Sequence, residues 1–389
     1  MTRMIRAATV RTYHQFSRST GREMGEVLKQ KLGQVPDACW LFCAPLRGLG
    51  DLIKGICEAA GTNQIIGCTT SGEISGEGQS INSAVLGGIV SDCIEFEFIR
   101  VQGLAEDSAA AGRKLAESFS AVPRYLQIFS DGLTGNGCAL LKGIADGFHS
   151  IVPVAGGAAG DNGDFQKTFQ FDRGRIYSDS VCGVAFHGDF KLGTAVRSGW
   201  VPIGLSKQVT RARGKVVYEL NGEPALNVFE RFLGQHAEKL PAIGVEYPLG
   251  FMKPAMNGHQ DHQYILRATM SVDRQERSIT FAGEIPEGAW VNLTCGDKDS
   301  ILAAADTAAR EARAAIGDAT PELIFCYSCM ARRIVLGSRT GEEIERIREQ
   351  FGPQIPILGF YSYGEYCPVG AEACSDLHNE TITLSILGS

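Results

Sequence analysis

Ile357-Leu358-Gly359-Phe360-Tyr361-Ser362-Tyr363-Gly364-Glu365 reads as a buried strand running into a turn that carries glycine and a carboxylate. The apolar run is too short for a helix and is bounded by turn residues, as a fully buried strand should be. The same plan occurs twice more, in Ile65-Ile66-Gly67-Cys68-Thr69-Thr70-Ser71-Gly72-Glu73 and in Val154-Ala155-Gly156-Gly157-Ala158-Ala159-Gly160-Asp161. Each stretch is preceded, across a helical pattern, by another apolar run: Leu323 to Cys329, Trp40 to Cys43, and Leu126 to Asp131. Three such units predict an α/β protein whose mixed sheets are built from repeated strand-helix-strand units. Antiparallel return strands are expected at Ala84 to Val90, Val181 to Phe186 and Thr381 to Leu387. In α/β units ligand groups gather on the loops after strand C-termini, which directs attention to the three turns.

The chain has 389 residues, enough for two or three domains of roughly 150 residues each. The pattern breaks at Gly199-Trp200-Val201-Pro202-Ile203-Gly204 and a new segment begins near Val209, so a boundary is expected at residue 208, giving domains 1–208 and 209–389. A net charge of −7 argues against nucleic acid or an anionic membrane as partner, since both need a basic face. No run approaches the roughly 18 apolar residues that span a bilayer, and the N-terminus lacks the apolar core of a signal peptide. Twelve cysteines lie scattered through predicted strands and helices, a pattern of buried thiols in a reducing, cytoplasmic setting.

Enzyme motifs are missing. Thr70-Ser71-Gly72 lies in no Gly-x-Ser-x-Gly elbow, and no phosphate loop ends in Gly-Lys-Ser/Thr. A non-catalytic role is therefore expected.

The quoted stretches resemble the FIST family. Ile66 to Glu73, Gly156 to Asp161 and Gly199 to Gly204 are similar to the FIST N domain. Tyr327-Ser328-Cys329-Met330-Ala331-Arg332, Gly359 to Glu365 and Leu377-His378-Asn379-Glu380-Thr381 are similar to the FIST C domain. The resemblance implies a two-domain FIST architecture and a sensory module that binds a small ligand in signal transduction. One branch, of stand-alone FIST proteins, binds haem b, senses nitric oxide and regulates a partner histidine kinase, and through it cyclic di-GMP and biofilm behaviour. This chain is similar in having both halves and no fused kinase, cyclase or receiver, so it would act through another protein, and a homodimer is compatible with that role.

The residues themselves leave three chemistries open. Cys326, Cys329, Cys367 and Cys374 suit zinc or an iron–sulfur cluster as thiolates, which would make a metal or redox sensor. Cys367-Pro368 resembles a haem regulatory motif, and His378 and then His187 are the histidine candidates for haem iron, His378 opening the closing strand and His187 following Val184-Ala185-Phe186. Alternation with Phe325 and Tyr327 equally fits Cys326 as a core hydrophobe. Without haem, Glu365, Arg332, Tyr363 and backbone groups could receive an amino acid or similar metabolite, with Arg332 and Arg333 as partners for a carboxylate or propionate. Glu73, Asp161 and Glu365 are expected as the equivalent carboxylates of the three turns, where they bind a ligand or tie down adjacent amides.

Overall fold

The computed structural model describes residues 4–252, 264–368 and 374–389. The first repeat comprises β1 (Ile5–Thr12), α1 (Arg18–Leu32), β2 (Ala38–Cys43), α2 (Leu49–Ala60), β3 (Ile65–Thr69), a hairpin of β4 (Glu73–Ser75) and β5 (Gly78–Ser80), and β6 (Ala84–Ser91). The second has the same order: β7 (Ile94–Gln102), α3 (Ser108–Glu117), β8 (Tyr125–Ser130), α4 (Gly137–Phe148), β9 (Val154–Ala158), hairpin β10 (Gln170–Asp172) and β11 (Arg175–Tyr177), then β12 (Ser180–Gly188).

The third repeat opens with β13 (Lys191–Arg197), and a β-rich insert follows. The insert holds β14 (Trp200–Arg213), β15 (Val216–Leu220), β16 (Glu223–Pro224), α5 (Ala225–Leu233), β17 (Leu249–Met252), β18 (Tyr264–Arg267), β19 (Thr269–Asp273), β20 (Ser278–Phe281) and β21 (Trp290–Gly296). The repeat then resumes with α6 (Lys298–Ala315), β22 (Pro321–Cys329), α7 (Met330–Leu336), α8 (Thr340–Phe351) and β23 (Ile357–Ser362). It closes with β24 (Glu365–Pro368), β25 (Ser375–His378) and β26 (Ile382–Gly388).

The sheets are mixed and built from strand-helix-strand units, as expected, and each repeat builds one of its own. In each, the two strands flanking the helix pair parallel (β2 with β3, β8 with β9, β22 with β23), and the return strand pairs antiparallel beside them. The hairpins, however, change sheets. The first repeat's β4 pairs with β23, the second's β10 with β3, and the third's β24 with β9. Every one of these sheets is completed by a neighbour's hairpin, which ties the two halves of the chain into one body. Residue 208 itself lies within β14, a continuous strand that pairs with both β15 and β21.

Burial on both faces explains the unbroken apolar runs. Trp40, Phe42, Tyr125, Phe129, Phe325, Tyr327 and Phe360 face a common core between the three sheets. The alternating residues Cys39, Leu41 and Cys43 face α1 and α2, and Ile324 and Cys326 face α6 and α8. Parallel strands approach closely at Gly67, Gly156 and Gly359, where a Cβ would sit 1.9, 2.0 and 1.6 Å from the carbonyl oxygens of Leu41, Ile128 and Cys326. Only glycine fits there.

Candidate functional site

The C-terminal ends of β3, β9 and β23 meet, and their turns close a ring of backbone hydrogen bonds. Ser71 N–H donates to Tyr361 O (2.8 Å) and Tyr361 N–H to Gly72 O (2.8 Å). Gly160 N–H donates to Thr69 O (2.9 Å) and Asn162 N–H to Thr70 O (3.2 Å). Tyr363 N–H donates to Ala158 O (3.1 Å) and Ala158 N–H to Gly364 O (2.8 Å). The three turns singled out in sequence thus form one junction.

The first and third turns hold their carboxylates in the same way. Glu73 accepts from the Thr70 hydroxyl and from the Ser83 amide (3.2 Å) and hydroxyl. Glu365 accepts from the Ser362 hydroxyl and from Thr381 Oγ1 (2.7 Å). Burial pushes these carboxyls up to about 7 and about 8, against the pull of those same hydrogen bonds. In the second repeat the equivalent residue is Gln170, not Asp161. Gln170 pairs with Cys68, the residue after Gly67, as Glu73 pairs with the residue after Gly359 and Glu365 with the residue after Gly156. Its Oε1 accepts from Ser180 Oγ (3.1 Å). The shared spacing of ten residues in Glu73–Ser83 and Gln170–Ser180 is the signal in the sequence that would have found it. All three side chains are fully buried and serve the turns.

Asp161 instead organises its own loop, accepting from the amides of Phe165 (2.9 Å), Gln166 (2.7 Å) and Lys167 (2.9 Å). It also accepts from the Tyr363 hydroxyl, which in turn accepts from Gly163 N–H (3.0 Å). The Tyr363 ring stacks on Phe165 at 4.7 Å between centroids and 12° between planes. Phe165 is 46% exposed and has φ +51°, a left-handed conformation that is costly for a bulky residue. Burial and the Asp161 contact push the Tyr363 phenol up to about 12, so it remains a hydroxyl donor.

Around Tyr363, two polar groups have no well-directed hydrogen bond among the described residues. The Ser71 hydroxyl is buried beside the Tyr363 hydroxyl without a well-directed hydrogen bond. Arg333, half-buried on α7, has its stem 3.6 Å from where a Cβ on Gly72 would stand, and its charge lies near Glu73, Tyr361 and Tyr363. Its Nε is buried and unpartnered. Burial lowers the Arg333 pKa, yet a guanidinium stays charged. Met330, the first residue of α7, brings its sulfur to 3.5 Å from a Cβ position on Gly163. A guanidinium, two hydroxyls and an aromatic ledge therefore share one rim. Ser71 and Phe165 carry no sequence signal beyond their place in the turns.

Arg332, expected at the ligand, faces elsewhere. It is fully buried, with Nε donating to Glu343 Oε1 (2.7 Å), and its two terminal nitrogens donating to Ser198 O and to Ile301 O (2.9 Å). Those carbonyls flank the entry and exit of the β insert. Each nitrogen of Arg332 is thus engaged by the fold, away from the turn junction. Arg267 likewise is buried, donating to the carbonyls of Leu266 (3.0 Å), Leu377 (2.9 Å) and Glu284 (3.1 Å).

The third repeat departs from the others at one further position. Asn82, Asp179 and Glu380 each stand just before the return strand with positive φ, of 56°, 50° and 60°. Asn and Asp suit that conformation, and glutamate does not. Glu380 is also fully buried, with neither carboxylate oxygen hydrogen-bonded among the described residues. Burial and the neighbouring Glu365 push its carboxyl up.

The cysteines do not gather. Cys326 lies in the α6–α8 layer, Cys329 ends β22, Cys367 donates to Ala195 O (3.6 Å), and half-buried Cys374 lines a groove beside α4. Burial raises the thiols of Cys326, Cys329 and Cys367, the wrong direction for metal-binding thiolates. Among the described residues, no group of three or more Cys, His, Asp or Glu is arranged to hold a metal. The four-cysteine site expected from sequence is corrected accordingly: alternation sends the thiols to different layers.

Haem fits the histidines no better. His378 is 2% exposed, its Nε2 lying 3.3 Å from Cys367 O. His187 sits 3.6 Å from Glu97 at the far end of β12. Neither lines the groove of about 320 Å³ beside α4 or the cavity of about 270 Å³ in the insert. Neither histidine therefore presents a ring nitrogen to either of these two spaces. His259 and His262 lie outside the described residues.

Comparison with known proteins adds the family context. Residues 37–223 match the FIST N domain and residues 225–368 the FIST C domain. An uncharacterized protein of Methanocaldococcus jannaschii is 25% identical over 373 residues, covering 89% of this chain and 69% of that protein. An uncharacterized protein of Mycobacterium tuberculosis is 26% identical over 221 residues, 54% of each chain. A solved cyanuric acid hydrolase from A. caulinodans aligns over 99% of this chain with 7% identity and a TM-score of 0.35, too low to bear on function. No helix of the described residues is long and apolar enough to cross a membrane.

Proposed function

The chain belongs to the FIST family, a FIST N domain followed by a FIST C domain, and from that premise we propose that it senses a small carboxylate-bearing metabolite at the junction of its three turns. FIST domains are small-ligand sensing domains of signalling systems, sensory rather than catalytic, and they associate with signalling proteins. The observation that carries the ligand reading is the pair of buried polar groups near Tyr363 that lack a well-directed hydrogen bond among the described residues, the Ser71 hydroxyl and Arg333 Nε. A ligand carboxylate would accept from both, a charge-assisted contact in a half-buried place, while the Tyr363–Phe165 ledge covers the apolar part. An amino acid belongs to this class, although Glu365 and Arg332, expected from sequence to hold it, are engaged elsewhere.

Occupancy has a short route outward. Arg333 reaches the junction, and its neighbour on α7, Arg332, grips both connections to the β insert. A ligand that pulls on Arg333 shifts α7, and with it the angle at which the insert is presented to a partner. The partner would be a signalling protein, a histidine kinase in the finer reading.

Haem binding with a nitric-oxide response, leading to cyclic di-GMP and biofilm control, has the paired FIST organisation in its favour and draws no support from His378 or His187. A thermal-denaturation panel of small carboxylates and amino acids tests the first reading, and absorption before and after haem addition tests the second. A rise in melting temperature with a carboxylate, lost in Arg333→Ala, supports the junction. A Soret band together with no response to any carboxylate would transfer the assignment to haem.

A further inference from the structure

The β insert contains a cavity separate from the turn junction. It lies between α5 and the sheet, at the place where the pairing of β14 with β21 breaks between Ile203 and Lys207. Gly204, with φ +69°, shapes that break, and Ser206 Oγ donates to Asn292 Oδ1 (2.9 Å) across it. The cavity measures about 270 Å³, and its walls are the buried side chains of Leu220, Val228, Leu249, Val291 and Leu293. At its mouth stand Phe232 and Leu205, the latter 89% exposed. A close-packed core ordinarily fills such a space with its own side chains, yet here large apolar groups remain at the rim.

The mouth is also basic. Lys207 and Arg231 both line it, in a chain whose net charge is −7. Arg231 is answered by Glu223, whereas Lys207 makes no ion pair among the described residues. An apolar chamber whose opening carries a cation uncompensated among the described residues is complementary to a molecule with an apolar tail and an anionic head.

We propose that this cavity is a second ligand site, for a medium-chain carboxylate whose tail lies against Leu249 and Val291 and whose head meets Lys207. The site is independent of the turn junction and does not need that reading to hold. The same chemistry could be offered by a free carboxylate or by an anionic lipid headgroup; the surrounding apolar walls favour the free molecule.

Calorimetric titration of the full chain with decanoate, with decyltrimethylammonium as a cationic match, tests this. Saturable decanoate binding is expected, at least about tenfold stronger than that of the cation. Lys207→Glu and Leu205→Asp, both changes at the solvent-facing mouth, should each weaken decanoate by about tenfold with unchanged melting temperature. Arg333→Ala should leave the Lys207-dependent part of that binding unaltered. The proposal is overturned by absent saturation, by equal binding of both amphiphiles, by an unaffected Lys207→Glu, or by loss of the Lys207-dependent binding in Arg333→Ala. Sedimentation with phosphatidylglycerol vesicles that decanoate does not compete away would overturn it as well.

Discussion

Arg332 and Arg333 are adjacent in sequence and serve two different places: Arg332 is held through all three nitrogens by Glu343 and the carbonyls of Ser198 and Ile301, while Arg333 lies near Tyr363 with its Nε unmet among the described residues. Their substitutions should therefore separate. Arg332→Ala leaves Glu343 as a buried carboxylate without its cation and should cost about 3–5 kcal/mol, read by denaturant unfolding. Arg333→Ala should change stability by less than about 1 kcal/mol and abolish the carboxylate response. Equal destabilisation by both would count against the division of labour.

Glu365 gives the chain a pH dependence of defined sign. Its folded value of about 8 stands above the ordinary carboxyl value of 4.5, so the folded protein holds a proton that the unfolded chain releases. The stabilisation is complete below the unfolded value and declines as pH rises through the window toward 8. Glu365→Gln, which copies the amide naturally present at Gln170, should flatten that decline and raise the melting temperature at the upper end of the window. A steeper decline in the variant would refute the assignment.

Glu380 occupies a left-handed position that Asn82 and Asp179 fill in the other repeats. Glu380→Asn should relieve backbone strain and remove an unpartnered buried carboxyl, stabilising the fold by roughly 1–2 kcal/mol in denaturant unfolding. A less stable variant would mean that the carboxyl of Glu380 does structural service that asparagine cannot replace.

Thiol accessibility follows from the layers. Cys39, Cys43, Cys68, Cys182, Cys326, Cys329 and Cys367 are buried, and Cys57, Cys93, Cys138, Cys295 and Cys374 are half-buried. Titration with a thiol reagent should label only members of the second group in the native protein, and all twelve after denaturation. Rapid native labelling of Cys326 or Cys367 would contradict the core assignment.

Much of this architecture is legible in the sequence because strands buried on both faces leave long apolar runs, and those from Trp40, Leu126 and Leu323 announce three units. The exchange of hairpins is not. β4, β10 and β11 have three residues each, too few for any periodicity, and the strands that receive β4 and β10 lie in another repeat. The connection from β9 to β10 is longer than that from β3 to β4, so Asp161 falls in the turn while its structural counterpart to Glu73, Gln170, falls well beyond it. The marker for Gln170 is the ten-residue step to Ser180. Arg332 reads as a ligand group because its buried partner, Glu343, sits on a separate helix eleven residues away. The turn from Ser362 to Glu365 does lie at the junction, but its accessible chemistry belongs to Tyr363 and to neighbours from the other two turns.

A carboxylate bound at the turn junction should be felt along α7 at the base of the β insert. Hydrogen exchange of the whole chain, with and without the carboxylate that most raises its melting temperature, tests this most directly. Added protection is expected in α7 and at the two connections, around Ser198 and around Ile301, with loss of both effects in Arg333→Ala. Protection confined to the insert cavity, or an undiminished response in Arg333→Ala, would contradict it.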